Sequence, residues 1–436
     1  MSTTVPVVED WGYFPRWKEK TSGVIMPEER LPWWQTIVSG LQHGVAMAGA
    51  TIIAPVIMGF DPNLAVFFSG VGTLIFFVVV GGRVPSYLGS SFSFIAVVIA
   101  ASGYSGHGAN PGIDIALGGI VAAGVLYGVI ALIVMGTGIG WVERLMPPVV
   151  TGAVVAVIGL NLAPVAVRAL SDSQFDVWIG LITVLIIGLI SVATTGLWRR
   201  LPIILGAIAG YLVYLGLANG LGWGKPIDFG ALADAPWVGL PKFTTPTFHA
   251  HAMFLIAPVA IILVAENLGH IKAIGAMTGR SLDAYLWRAF LGDSLATIVS
   301  AFGGGTGVTT YAENIGVMAA TRVYSTALFV IAAIGAILLG FSPKFGALVL
   351  SIPGPVIGGL SIVLSGLIAA MGGRIWVENK VDFADPRNLI TTAVALTAGA
   401  GDLTLKFGGF TMGGIGTATF GAVILYQILA FDRSKG

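Results

Sequence analysis

Two near-identical tetrads, Glu266-Asn267-Leu268-Gly269 and Glu313-Asn314-Ile315-Gly316, each set a carboxylate in a chain that is otherwise almost uncharged. A carboxyl group can accept hydrogen bonds from N–H donors when ionised and donate one when protonated, so a pair of them can serve both solute recognition and proton uptake. Of the eight glutamates, Glu9, Glu19, Glu28 and Glu29 precede the first apolar segment, and Glu143 and Glu378 sit in short charged connections. Glu266 and Glu313 are therefore the two expected inside the apolar body. His270 follows Glu266 by one helical turn on the same face, so carboxylate and imidazole are expected to interact directly and share a proton. Two ionised carboxylates brought together would repel each other, and taking up one proton would relieve both that repulsion and the loss of hydration. The plainer reading makes Glu266 and His270 an internal polar tie without solute contact.

Other motifs carry less. Gly399-Ala400-Gly401-Asp402 matches the Gly-x-Gly-Asp signature of intramembrane aspartyl proteases, but those enzymes need a second membrane aspartate in a Tyr-Asp pair, which this sequence lacks. Asp402 reads better as a loop residue. His249-x-His251 has metal-compatible spacing without a third ligand close in sequence, so no metal and no cofactor is expected. Asp293 falls within an apolar segment and reads as a capping or inter-helix hydrogen-bonding group. Gly303 to Gly305 lack the following Lys-Ser/Thr of a phosphate loop, which argues against ATP as the energy source. Neither an enzyme nor a nucleic-acid-binding protein is indicated.

The elements that must hold these groups follow from composition. Apolar residues make up 56% of the chain and charged ones 10%, with a mean hydropathy of +0.91; soluble domains carry about a quarter charged residues. The chain is read as an all-α polytopic membrane protein, because a helical span takes about 20 apolar residues and the weak ten-residue alternation of a barrel is not seen. At that depth an ionisable group costs about 2.5 to 3.5 kcal/mol, which marks Glu266 and Glu313 as functional. The absence of cysteine leaves no thiol chemistry. The first 35 residues, with Trp11, Trp33 and Trp34 among mixed charges, do not read as a cleavable signal.

Apolar runs give 14 transmembrane segments, several short or broken by glycine and proline. With an inward N-terminus, the inner loops hold Arg16, Lys18, Lys20, Arg30, Arg83, Arg144, Arg199, Arg200, Arg280, Arg288, Arg322, Arg374, Lys380, Arg387, Arg433 and Lys435, against Arg168, Lys225, Lys242, Lys344 and Lys406 outside. This excess inside is what short-loop charge asymmetry predicts, and it places both termini in the cytoplasm. The expected domains are an N-terminal segment over 1–35, a first repeat of seven segments over 36–222, an extracytoplasmic connection over 223–250 and a second repeat over 251–430. Pro148-Val149-Val150-Thr151-Gly152 answers Pro355-Val356-Ile357-Gly358-Gly359 at an offset of 207, and Ser90-Ser91-Phe92-Ser93-Phe94 answers Thr309-Thr310-Tyr311-Ala312-Glu313 at an offset of 219. Seven segments per half is odd, so the copies must be inverted relative to each other. The second pair follows glycines and precedes only about ten apolar residues, which predicts short strands leading into half-helices in segments 3 and 10, their positive ends aimed at a solute.

At these residues the chain resembles the nucleobase-ascorbate (uracil-xanthine permease) transporter family. Glu313-Asn314-Ile315-Gly316-Val317-Met318-Ala319-Ala320-Thr321-Arg322 fits its ten-residue signature, and Gln42-His43, Ser90-Ser91-Phe92 and Glu266 with His270 also look like the family, from about Pro32 to Leu429. The resemblance implies a 7+7 inverted repeat folded as a core domain (segments 1–4 and 8–11) and a gate domain (5–7 and 12–14). It implies proton-coupled import of uracil across the inner (plasma) membrane by a homodimer, with thymine or xanthine as further solutes and a purine permease as the alternative within the family. Glu266, Glu313 and Tyr311 would bind the pyrimidine, Phe92 would stack on it, Ala50 would line the wall, the backbone at Ala312 would meet a ring carbonyl, and His270 would help pass the proton. Gln42, His43 and Asn314 would support them. Where uracil permeases place a pocket-facing tyrosine in segment 12 this chain has Ser365, which implies a roomier pocket. An anion transporter or channel on the same scaffold is the alternative from another class; two carboxylates facing the half-helix ends disfavour it.

Overall fold

The computed structural model of the protein describes residues 12–104, 108–195, 201–407 and 410–430. Glu9, Trp11, Arg199, Arg200, Arg433 and Lys435 lie outside these residues.

Prolines and short polar side chains set the helix ends. An N-terminal strap with a two-residue parallel pair, β1 (Lys18–Glu19) and β2 (Glu29–Arg30), leads through Pro32 into α1 (Trp33–Met58), which stops at Gly59 in the left-handed conformation, φ 73°. Such a stop favours glycine, which has no Cβ to clash. Asp61 then caps α2 (Pro62–Val79), accepting from the Asn63 N–H at 2.8 Å, with proline at the first helical position where its missing N–H is not needed. β3 (Leu88–Ser90), a 3-10 turn over Phe92–Phe94 and α3 (Ile95–Ser102) form a broken segment before α4 (Ile113–Thr137). A short α5 (Gly140–Leu145) connects to α6 (Pro148–Arg168), α7 (Gln174–Ala193) and α8 (Pro202–Leu215).

After α9 (Gly230–Asp234) the pattern recurs. α10 (Ala250–Ile256) and α11 (Val259–Thr278) make one long span, followed by α12 (Leu286–Phe302), β4 (Val308–Thr310) with α13 (Ala312–Thr321), and α14 (Ala327–Gly340). α15 (Pro343–Leu350) is the second short connector, before α16 (Gly354–Glu378), α17 (Pro386–Ala400), the hairpin β5 (Leu405–Phe407) and β6 (Phe410–Met412), and α18 (Gly414–Ala430). Among the described residues eight helices are long and apolar enough to cross a membrane, and α14 with α15, bent by 84°, makes a ninth candidate. The expected path of fourteen also needs α12, α17, α18 and the two strand–half-helix units, none long enough to count by itself.

Packing partners exchange when the halves are exchanged. α2 packs on α14 as α12 packs on α4, α1 meets α14 as the α10–α11 span meets α4, and α6 meets α17 as α16 meets α7. The self-paired contacts, α6 with α16, α2 with α12 and β3 with β4, lie on the symmetry axis. β3 and β4 run antiparallel, in the register Leu88↔Thr310, Gly89↔Thr309 and Ser90↔Val308. Equivalent strands that run antiparallel mean that the repeats are upside down relative to each other. The helices also sort into two packed groups, α1–α4 with α10–α14, and α6–α8 with α16–α18. In the second group α6 and α16 cross closely through glycines: a Cβ on Gly152 would enter the Trp376 ring, and one on Gly372 would meet the Gly152 carbonyl. Small residues bring helices together in this way where lipid offers no hydrophobic drive.

Candidate functional site

The site is built where the two broken segments meet. Extended backbone at membrane depth is tolerated only inside protein or on a cavity, because lipid cannot satisfy its polar groups. Here β3 and β4 satisfy each other, and the buried side chains around them bind what remains: the Thr73 hydroxyl accepts from the Leu88 N–H at 2.9 Å, that of Thr297 donates to the Val308 carbonyl at 3.0 Å, and Thr306 donates to Ser90 at 2.7 Å. From this plate α3 and α13 leave in opposite directions, so the N-terminal ends of both half-helices lie close to the strand pair.

Glu266 on α11 comes to this junction. Its carboxyl stands beside Ser93 in the turn that opens α3, and Glu313, in the first turn of α13, lies within its electrostatic reach. The Glu266 Oε2 atom has no hydrogen-bond partner. Glu313 is exposed to a water-sized probe although it lies deep within the helix packing, which puts it on the wall of an open cleft. No side chain caps α13. Phe92, Ala312 and His270 are half-buried beside them. The junction thus offers acceptor oxygens from two helices and, at α13, main-chain donors with the positive end of a helix dipole.

Several expected residues stand elsewhere. His270 does not bond Glu266: its Nδ1 lies 2.9 Å from the Thr310 hydroxyl in β4, because the imidazole turns toward the strand, where a hydroxyl can serve either tautomer. Tyr311 is buried, at 4% exposure, donating to the Ser90 carbonyl at 2.8 Å and accepting from Thr51 at 3.4 Å. It braces one broken segment against the other and presents no ring to the cleft. Ala50 is 3% exposed, behind the wall. Ser365, 5% exposed, has its carbonyl against Gly159, which sets its backbone in the α6–α16 seam. Among the supporting residues, His43 Nδ1 meets Asn314 Oδ1 at 2.9 Å with both side chains buried, and the Asn314 Nδ2 and Gln42 Nε2 atoms have no partner. Asp402 caps α18 at the Gly414 N–H, 2.8 Å, and meets Asn161 at 3.3 Å.

Sequence reading missed a layer behind the carboxylates. Asn267 donates to the Tyr127 hydroxyl at 2.9 Å and to Asp293 at 3.1 Å, all three buried, and the Thr310 hydroxyl, 3.4 Å from Asn267 Oδ1, ties this layer to His270. Asp293 is the inter-helix partner expected of it. The repetition of Glu-Asn in both tetrads was the signal for Asn267, while Ser93 and Thr310 stand in the matched serine–threonine stretches. Among the described residues no group of His, Asp and Glu is arranged to hold a metal.

Crossed half-helices with carboxylates at their junction, inside an inverted helical repeat, define a multi-pass membrane carrier. The chain belongs to the permease family whose profile, Xan_ur_permease, described as "Permease family", matches residues 34–407. It is 60% identical over 421 residues to RutG of Escherichia coli (strain K12), described as a pyrimidine permease, covering 96% of this chain and 95% of that one. It is 41% identical to a uracil permease of Bacillus caldolyticus (91% and 92% covered) and 37% identical to a uracil permease of Escherichia coli (strain K12) (95% and 96%). The fold matches the transmembrane domain of a cyanobacterium bicarbonate transporter, BicA, with TM-score 0.58, 14% identity and coverage of 90% and 96%. It also matches the murine Slc26a9 anion transporter in the inward-facing state, with TM-score 0.62, 10% identity and coverage of 92% and 69%. These structures share the seven-plus-seven inverted-repeat fold.

Proposed function

We propose that the protein imports uracil and related pyrimidines, including thymine, together with protons. The observation that carries this reading is the unpartnered Glu266 Oε2 facing a junction that also holds the open Glu313 carboxyl. Uracil has two N–H donors and two carbonyl acceptors in one plane. Carboxyl oxygens suit the first and the main-chain N–H groups at the start of α13 suit the second, with Phe92 as the stacking surface. The permeases named above, 37–60% identical to this chain, support a pyrimidine substrate. Anions, the solutes named for the fold neighbours, would meet two carboxyl groups here.

In this reading a proton taken up by the carboxyl pair relieves their mutual repulsion and sets the donor–acceptor pattern that the neutral base requires. The α1–α4 and α10–α14 group is the core that carries the solute, and the α6–α8 and α16–α18 group is the gate it moves against. The domain boundaries are those expected from sequence, with both termini at the cytoplasmic face of the inner membrane and a homodimer as the working unit. The solute leaves chemically unchanged.

The test is radiolabelled uracil uptake into proteoliposomes under an inward proton gradient, with thymine and xanthine as competitors. Native protein is expected to concentrate uracil only with the gradient, and Glu266→Gln and Glu313→Gln each to weaken binding by about 10- to 150-fold, the worth of a hydrogen bond to a charged group. Uptake indifferent to the gradient would remove proton coupling, and competition by xanthine alone would move the substrate to purines.

A further inference from the structure

The strap before α1 folds back over the ends of the helices that carry the two carboxylates. α11 stops at Gly279, and the next residue, Arg280, makes a two-pronged ion pair with Glu28, at 2.6 and 2.8 Å, with both side chains 18% exposed. α13 stops at Arg322, a non-glycine residue in the left-handed conformation at φ 56°. Its carbonyl accepts from the Ile25 N–H at 3.1 Å, and the Tyr324 N–H returns to the Ile25 carbonyl at 2.8 Å. Ile25 is 1% exposed and bridge-paired with Val323. Thr326 binds the Pro27 carbonyl through N–H and hydroxyl, at 3.2 and 3.1 Å, and accepts from the Trp17 indole at 3.0 Å. Upstream, Tyr13 donates to the Val78 carbonyl at 2.9 Å and Phe14 stacks on Phe77.

Each of these partners belongs to α2, the turn that ends α11 or the α13–α14 turn. A left-handed non-glycine residue costs about 1 kcal/mol or more and persists where its surroundings over-determine it; here the strap bonds its carbonyl and the N–H two residues further on. α13 has ten residues and no side-chain cap at its other end, so by itself it is too short to be a stable helix. We propose that the strap is a positioning device: Glu28, through Arg280, and Ile25, through Arg322 and Tyr324, hold the far ends of α11 and α13 at one spacing and thereby fix where Glu266 and Glu313 stand. The strap travels with the core throughout the cycle and does not open. This rests on the assignment of the two carboxylates to solute binding, but its first test does not.

Amide hydrogen exchange is measured on full-length, solute-free protein: native, Glu28→Gln, and the exchange of charges Glu28→Arg with Arg280→Glu. Exchange across Ala312–Thr321 is expected to rise at least about tenfold in Glu28→Gln, with α4 unchanged, and to return toward native in the swapped pair. No change in α13, or an equal rise in α4, overturns the proposal. On the same proteins, the uracil Kd is expected to rise about tenfold in Glu28→Gln at unchanged maximal rate; a lower rate at unchanged Kd would make the strap a gate. The chain has no cysteine, so Ile25→Cys with Val323→Cys can be joined by a disulfide, and the joined protein is expected to transport like its reduced form. Loss of transport reversed by reductant would show that the strap must release. If native protein does not bind uracil, the substrate reading fails while the exchange measurement still decides the role of the strap.

Discussion

At the residue scale the chemistry depends on polar atoms whose partners are set by neighbouring elements. Asn267 shows this: its amide holds both Tyr127 and Asp293, and Asp293 is fully buried. Asn267→Ala would leave a buried carboxyl and a buried hydroxyl without their shared donor, at a cost of about 1 to 3 kcal/mol for the unmet groups. A lowered melting temperature, with uracil affinity falling through displacement of Glu266, is the expected result; an unchanged melting temperature would mean that the layer is idle. The tetrads were legible in sequence because a carboxylate stands out in an apolar run. The partner of His270 was not, since helical spacing brings Glu266 and His270 onto one face but cannot say that a strand 40 residues later offers Thr310. Tyr311 was misread for the same reason: its place in the chain is beside Ala312, yet its ring turns into the plate and its hydroxyl to Ser90.

At the element scale the informative pieces are those too short to be spans. The eight residues of α3 and the ten of α13 cannot cross a bilayer, and the glycines and hydroxyl residues ahead of them foretold strand and half-helix. Their register could not be foretold, because three-residue strands carry too little pattern; it is fixed by contacts such as Gly89 against the Tyr311 ring and Thr51. A Cβ at Gly89 would enter that ring, so Gly89→Ala is expected to destabilise the protein by about 1 to 3 kcal/mol, as overpacking does. Tyr311→Phe, which removes the hydroxyl that donates to the Ser90 carbonyl at 2.8 Å and accepts the long 3.4 Å bond from Thr51, is expected to cost about 1 kcal/mol. Thermal unfolding of both variants would check the order; equal shifts would argue that the ring does not set the approach of the plate. The exposed bridge of Lys272 to Glu143, 3.0 Å long with both side chains over 40% exposed, belongs to the class worth 0 to 1 kcal/mol. It therefore adds little to the joint between core and connector.

For the whole molecule, the duplication was legible from two matched stretches, and the packing partners that exchange between halves follow from it. The separation of the helices into two groups was not readable from periodicity, because every helix is apolar on most faces. It depends on which glycines let which helices approach, as Gly152 and Gly372 do between α6 and α16. Between the groups the contact is of another kind: Ile53 of α1 shares an apolar cluster with Val356, Leu360 and Leu364 of α16, against which Ile57 and Phe92 pack. Apolar side chains meeting without hydrogen bonds form a surface that can slide, since dispersion contacts have no directional register to break. If the core carries solute past the gate, a covalent tie across this surface must stop it. In the cysteine-free chain, Ile53→Cys with Leu360→Cys joined by a cleavable thiol reagent is expected to lose at least about nine-tenths of uptake while keeping uracil binding, because the tie arrests motion between states without touching the carboxylates. Uptake should return on cleavage. Uptake that survives the tie would mean that the two groups move as one, and the route of the solute would then have to lie within the core itself.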